Sequence, residues 1–150
     1  MGRRVAPGSV SGTRVSGTLQ ADTIRVGTGG LTRITETLAT KTGATGTVVH
    51  DFTESQIWYH SSMSANFTAN FTNIPTTDSR TISLTLLLNQ GATGYYPSAV
   101  QIDGVGQTLR WLGNVTPTAT SGAGKLDVVT VNLIRTGAAW VVTGVFQAFA

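Results

Sequence analysis

The chain has no cysteine in its 150 residues, so neither a disulfide framework nor a thiolate metal site can form, and the redox compartment is left open. Charge is also scarce. Only 11% of residues are charged, less than half of the usual share of about 25%. The surface is therefore solvated mainly by hydroxyls and amides, which fits a chain that stays in an assembly rather than one that lives alone at high concentration. No apolar run approaches the roughly 18 residues that cross a bilayer. Met1-Gly2-Arg3-Arg4-Val5 is not followed by the apolar core of a signal peptide, so the expected product is soluble and made in the cytoplasm. Ala6 stands where a myristoylation signal wants Ser or Thr.

What charge there is sits unevenly. Up to residue 50, Arg3, Arg4, Arg14, Arg25, Arg33 and Lys41 face only Asp22 and Glu36, a net +4, whereas the remainder carries −1. The basic third also differs in texture, because Val5 to Arg14 has single apolar residues between small turn formers and no face long enough to fill a core. Short β-prone pieces follow at 23–26 and 31–34, broken by Gly27, Gly29 and Gly30. Residues 1–45 are therefore expected to be an extended basic arm, with a polar linker over 40–47 and a body from 46 to 150.

The body reads as β throughout. Its clearest part is Lys125 to Ala150, where Val129, Val131 and Leu133 share one strand face, a turn falls at Thr136-Gly137, and Trp140, Val142, Gly144, Phe146 and Ala148 share a face of the next strand. Such a hairpin is only marginally stable alone, so it must lie within a sheet or against a partner. Ahead of it, Phe67, Ala69 and Phe71 alternate with Asn and Thr, and Ile82, Leu84, Leu86 and Leu88 mark a core strand. Further strands are expected at 47–52, 56–60, 99–102 and 107–112, the last two joined near Asp103-Gly104, a strong hairpin dipeptide. Eight strands spaced by turn signals predict an all-β fold, an antiparallel two-sheet sandwich of jelly-roll type.

No residue arrangement looks catalytic. His50 or His60 with Asp51 or Glu54 would have to serve one of many serines, with no nucleophile elbow to select it. In a strand His50 and Asp51 point to opposite faces. Two histidines ten residues apart match no metal-ligand spacing. Gly27-Thr28-Gly29-Gly30 lacks the Lys-Ser/Thr of a phosphate loop and reads as a turn, and Lys41-Thr42-Gly43 lacks the Ser-x-x-Lys partner of a serine acylase. The triplets at Asn66, Asn70 and Asn114 match the glycosylation pattern, which a Thr-rich chain produces by composition. Neither a cofactor nor a metal is expected, and the chain is not expected to be an enzyme.

Recognition is the remaining chemistry. Trp58, Trp111 and Trp140 read as core or interface residues, whereas Tyr95 and Tyr96, beside Pro97 in a loop, are the candidates for exposed recognition. In the arm, Arg3, Arg4, Arg14, Arg25 and Arg33 are the candidates for partner binding. Without a longer Lys/Arg run or interleaved aromatics, a polar protein partner is favoured over nucleic acid.

From Asn66-Phe67-Thr68-Ala69-Asn70-Phe71-Thr72-Asn73-Ile74-Pro75-Thr76-Thr77 onward, through Gln90-Gly91-Ala92-Thr93-Gly94-Tyr95-Tyr96-Pro97 and Ile134-Arg135-Thr136-Gly137-Ala138-Ala139-Trp140, the chain resembles a β-rich module of virion proteins of marine tailed phages, especially cyanophages. The likeness spans about residues 47–149. Gly17 to Gly27 likewise resembles the threaded segments of phage fibres. The resemblance implies a non-enzymatic structural role in the virion, usually as a homotrimer. With only some 45 residues ahead of the module, it implies a capsid decoration or cement protein whose arm docks on the major capsid protein or another virion protein. The alternative is a short tail fibre or adaptor that reads a host surface glycan through Tyr95 and Tyr96.

Overall fold

The structure is a computed structural model that describes residues 35–149. Ten strands follow one another: β1 (Leu38–Thr42), β2 (Gly46–Asp51), β3 (Ile57–Ser61), β4 (Phe67–Thr72), β5 (Arg80–Asn89), β6 (Pro97–Ile102), β7 (Val105–Gln107), β8 (Leu109–Trp111), β9 (Leu126–Thr136) and β10 (Ala139–Phe149). There is no α-helix among the described residues; a single 3₁₀ turn covers Leu112–Asn114. The strands form two sheets, ordered β1-β3-β5-β9-β10-β8 and β2-β4-β6-β7. An all-β body of two sheets is thus what the alternation predicted.

The pairing corrects the expectation of an antiparallel jelly roll. The first six strands alternate between the sheets, and within each sheet they pair in parallel: β1 with β3, β3 with β5, β2 with β4, and β4 with β6. Parallel neighbours need a crossover between them. Here the crossover of each sheet is a strand of the other, so residues 38–102 run as a coil. Period-two alternation is the same in either sense of pairing, so it does not tell a hairpin from a coil. Only the later strands are antiparallel: β9 lies between β5 and β10, and β7 returns on β6. β8 closes the edge of the larger sheet in parallel with β10.

Two boundaries move as well. The stretch 40–47, expected to be a linker, contains the end of β1 and the start of β2. The strand expected over 107–112 is two, β7 and β8, because the chain changes sheet at Thr108.

The core lies between the sheets. The larger sheet contributes Trp58, Leu84, Leu86, Leu88, Val129, Val131 and Leu133, and the smaller contributes Phe67, Ala69, Phe71, Val100 and Ile102, all buried. Register stacks them in rows: Ala39, Trp58, Leu86 and Val129 lie side by side across four strands, as do Val48, Ala69 and Val100 across three. Burying each large side chain contributes roughly 1.5–3 kcal/mol relative to exposure, so these rows dominate the fold's stability.

Both hairpin turns follow from local chemistry. Asp103-Gly104 has φ of 47° and 80°, and Gly137-Ala138 has 56° and 60°, the left-handed pair of a two-residue turn that matches strand twist. Glycine bears this without cost, whereas Ala138 does not.

Candidate recognition surface

Three polar or aromatic constellations emerge. The first edges one corner of the coil, where β2, β4 and β6 end one above another. Asp51 Oδ1 accepts hydrogen bonds from the Thr53 backbone N at 2.8 Å and from Thr53 Oγ1 at 2.7 Å, and Oδ2 accepts from Asn73 Nδ2 at 2.9 Å. Asn73 N in turn donates to Asp103 Oδ1 at 2.8 Å, and Gly104 N donates to Asn70 Oδ1 at 2.9 Å. Asn73 and Asp103 turn the chain with φ of 58° and 47°, a conformation that short Asx side chains tolerate. The bonds from Asn73 and Thr53 hold the Asp51 carboxyl below its usual range. The whole ladder faces solvent. It therefore reads as a structural seam between coils.

The second constellation ties the long loops. Asp127 is fully buried in β9, and its Oδ2 accepts from Gln90 Nε2 at 2.9 Å and from Thr120 N at 2.8 Å. Gln90, also buried, reads the main chain of Tyr95 twice, donating to its carbonyl at 2.8 Å and accepting from its N–H at 2.9 Å. Gly94 sits so close to the Thr120 carbonyl that an added β-carbon would collide with it. The segments around 90–96 and 119–125 are thus clamped together, which fixes where Tyr95 and Tyr96 stand.

The third is an apolar groove of about 220 Å³ lined by Trp111, Leu112, Val115, Pro117 and Phe146. Leu112 and Val115 are 72% and 67% exposed, while Trp111 and Phe146 lean on the core. Tyr96 meets both rings edge to face, with centroids 6.2 Å from Trp111 and 6.3 Å from Phe146, an arrangement that suits the quadrupoles of aromatic pairs. Gly144 on β10 makes room for this, since a β-carbon there would stand 2.7 Å from two atoms of the Trp111 ring. An aromatic floor with exposed aliphatic rims is what a recognition or subunit contact needs. A second, more polar pocket of about 200 Å³ is lined by residues 36–37 and 52–56.

Of the residues predicted for recognition, Tyr95 and Tyr96 are half-buried rather than displayed. Tyr96 is the inner wall of the groove, and the main chain of Tyr95 is held by Gln90. The groove's rim was not legible: Leu112 reads as the last residue of the strand expected over 107–112 but falls in the 3₁₀ turn after β8, and Val115 lies in no alternating run. An exposed Leu-Gly-Asn-Val turn between two strands was the available signal. Trp58 is buried outright, while Trp111 and Trp140 are half-buried against the core, and the Arg135 guanidinium stands 4.9 Å over the Trp140 ring. Arg3, Arg4, Arg14, Arg25 and Arg33 lie outside the described residues.

His50 and His60 come from different sheets and meet in the core, with Nε2 to Nε2 at 2.9 Å and neither ring exposed. No carboxylate orients them: Asp51 faces the ladder, and Glu54 is 3.2 Å from Lys41 Nζ. No trio of His, Asp or Glu among the described residues is placed to hold a metal ion. No family model matches the chain, and neither a curated protein nor a solved structure matches it.

Proposed function

We propose that the chain is a non-enzymatic structural protein of a phage virion, in its leading form a homotrimeric capsid decoration or cement protein. In this reading Arg3, Arg4, Arg14, Arg25 and Arg33 dock on the major capsid protein or another virion protein, and the β body projects. The observation that supports a structural role best is the coil itself. Its strands are short, its corners are stitched by side-chain hydrogen bonds, and its surface is solvated by Thr, Ser and Asn rather than by charge. Such a body resists shear without needing a ligand, and its groove supplies apolar area for a subunit contact.

The position of the chain in the particle tests this reading. Antibody-labelled virions viewed by electron microscopy should carry label over the whole head, and a chain lacking residues 2–30 should fold yet fail to join capsids. Undiminished incorporation of the truncated chain sinks the anchoring role.

A second reading, a short tail fibre or adaptor that binds a host surface glycan, is favoured by the aromatic floor of Tyr96, Trp111 and Phe146 beside exposed Leu112 and Val115. Label confined to the tail or one vertex selects it. Glycan-array binding lost on Trp111→Ala would then place the contact in the groove rather than at Tyr95.

A further inference from the structure

The His50–His60 contact is a buried constellation that neither reading uses. β2 of the smaller sheet supplies one ring and β3 of the larger supplies the other, and their Nε2 atoms are 2.9 Å apart. Between two neutral imidazoles only one hydrogen fits on that line, so one ring donates through Nε2 and the other accepts there, its own hydrogen on Nδ1. Both Nδ1 atoms are buried without a hydrogen-bond partner. The surroundings are mainly aromatic, the Val48 backbone alone favouring a charged His50: Trp58 stands edge-on to His50 at 5.1 Å, Phe71 lies at 5.3 Å, and Phe67 stacks on His60 at 5.0 Å.

We propose that this pair is an acid-sensitive latch: neutral, it bonds one sheet to the other, and on protonation it parts them and loosens the body. A first proton places a cation among aromatic rings, with no carboxylate among the described residues to balance it. A second puts hydrogens on both facing Nε2 atoms, and at 2.9 Å these must separate.

The charges around the pair point the same way. From β1, Lys41 lies in register with His60 and adds a like charge, its ammonium held by Glu54 from the loop after β2. Asp51 on β2 and Tyr59 on β3 belong to the opposite faces of their strands. β4 presents Phe67 and Phe71, and β5 presents Leu88 beside His60. Beyond Leu88, Asp127 on β9 is taken up by Gln90 and Thr120. Burial, with help from the neighbouring positive charge, lowers His50 from 6.5 to about 3 and His60 to about 4. The folded state therefore binds fewer protons than the unfolded chain, so the stability is complete above pH 6.5 and drains away as pH falls from there toward 4 and below.

The test is thermal unfolding of the full chain between pH 7 and pH 4.5, a window that lies above the range where Asp51 protonates. The wild-type melting temperature should drop by on the order of 10 °C across it. His50→Leu/His60→Leu removes both titrating rings and both orphaned nitrogens. It should lose less than a third of that drop and be at least as stable at pH 7. A flat wild-type profile, or a double variant that falls as steeply, overturns the proposal. Should the double variant not fold, ¹⁵N imidazole spectra of the wild type decide: both rings neutral in the folded protein at pH 5.5 support the latch, whereas rings that titrate near 6.5 without loss of fold refute it.

Discussion

The coil of β1–β6 and the hairpin of β9–β10 solve the same problem, burying one face of a strand, in opposite ways. In the hairpin, eleven-residue strands pair along their whole length through one two-residue turn. Contacts there widen from Thr136 with Ala139 beside the turn to Leu126 with Phe149 at the open end, and long strands give many ladder bonds per turn. In the coil, strands of five or six residues, apart from the longer β5, pair with neighbours some twenty to thirty residues away, such as Leu38 with Ile57 and Ile57 with Thr85. Few ladder bonds join any one pair, so the coil relies on interior rows and on side-chain bonds at its corners. Regions rich in local pairs form early and cheaply, whereas non-local parallel pairing carries more loop entropy. The hairpin is joined to the coil through β5, which pairs with β9 over ten residues.

Four changes sharpen or break that contrast. The largest effect belongs to the coil interior: Phe71→Ala empties a fully buried site that touches His50 and Trp58 and should cost about 3–5 kcal/mol in urea unfolding. A size-matched pair compares the two regions: Leu86→Ala in β5 should cost more than Leu133→Ala in β9, both fully buried; an equal loss would deny that the coil depends more on its rows. Next is Gly144→Ala, whose β-carbon would press on the Trp111 ring at 2.7 Å. It should cost about 1–3 kcal/mol and red-shift tryptophan emission as the groove opens.

At the corner, Asn73→Ala keeps a β-carbon at φ of 58° but loses the short polar side chain that tolerates that conformation, and with it the bond to Asp51. A loss of about 1–2 kcal/mol is expected, with Asn73→Gly losing less because it keeps only the hydrogen-bond defect. The smallest effect has the opposite sign. Ala138→Gly relieves φ of 60° in the hairpin turn and should raise stability by about 0.5–1 kcal/mol. If it destabilises instead, turn strain is not what limits the hairpin.

Much of the inside was legible in advance. Alternation placed Phe67, Ala69, Phe71, Ile82, Leu84, Leu86, Leu88, Val129, Val131 and Leu133 on inward faces, and all are buried except Ile82, which is half-buried. Asp-Gly at 103–104 announced its turn, which joins β6 to β7. β1 escaped notice because Leu-Ala-Thr-Lys-Thr buries only Ala39 fully, leaving no apolar stripe to read. The candidate surface was half legible: aromatic residues near 95–97 pointed to the right neighbourhood, but Tyr96 turned out to be the groove's inner wall rather than its exposed edge.

The amino-acid order alone determined that the chain is β, which side of most strands is apolar, and where the left-handed turns fall, because period and turn chemistry act within a few residues. It left open which strands become neighbours. That was decided by packing: a strand face that is apolar by alternation can be covered equally by an antiparallel return or by the next layer of a coil. Only the interlocking of Trp58, Phe71 and Leu86 between two sheets, with His50 brought against His60 across ten residues, selects the coil.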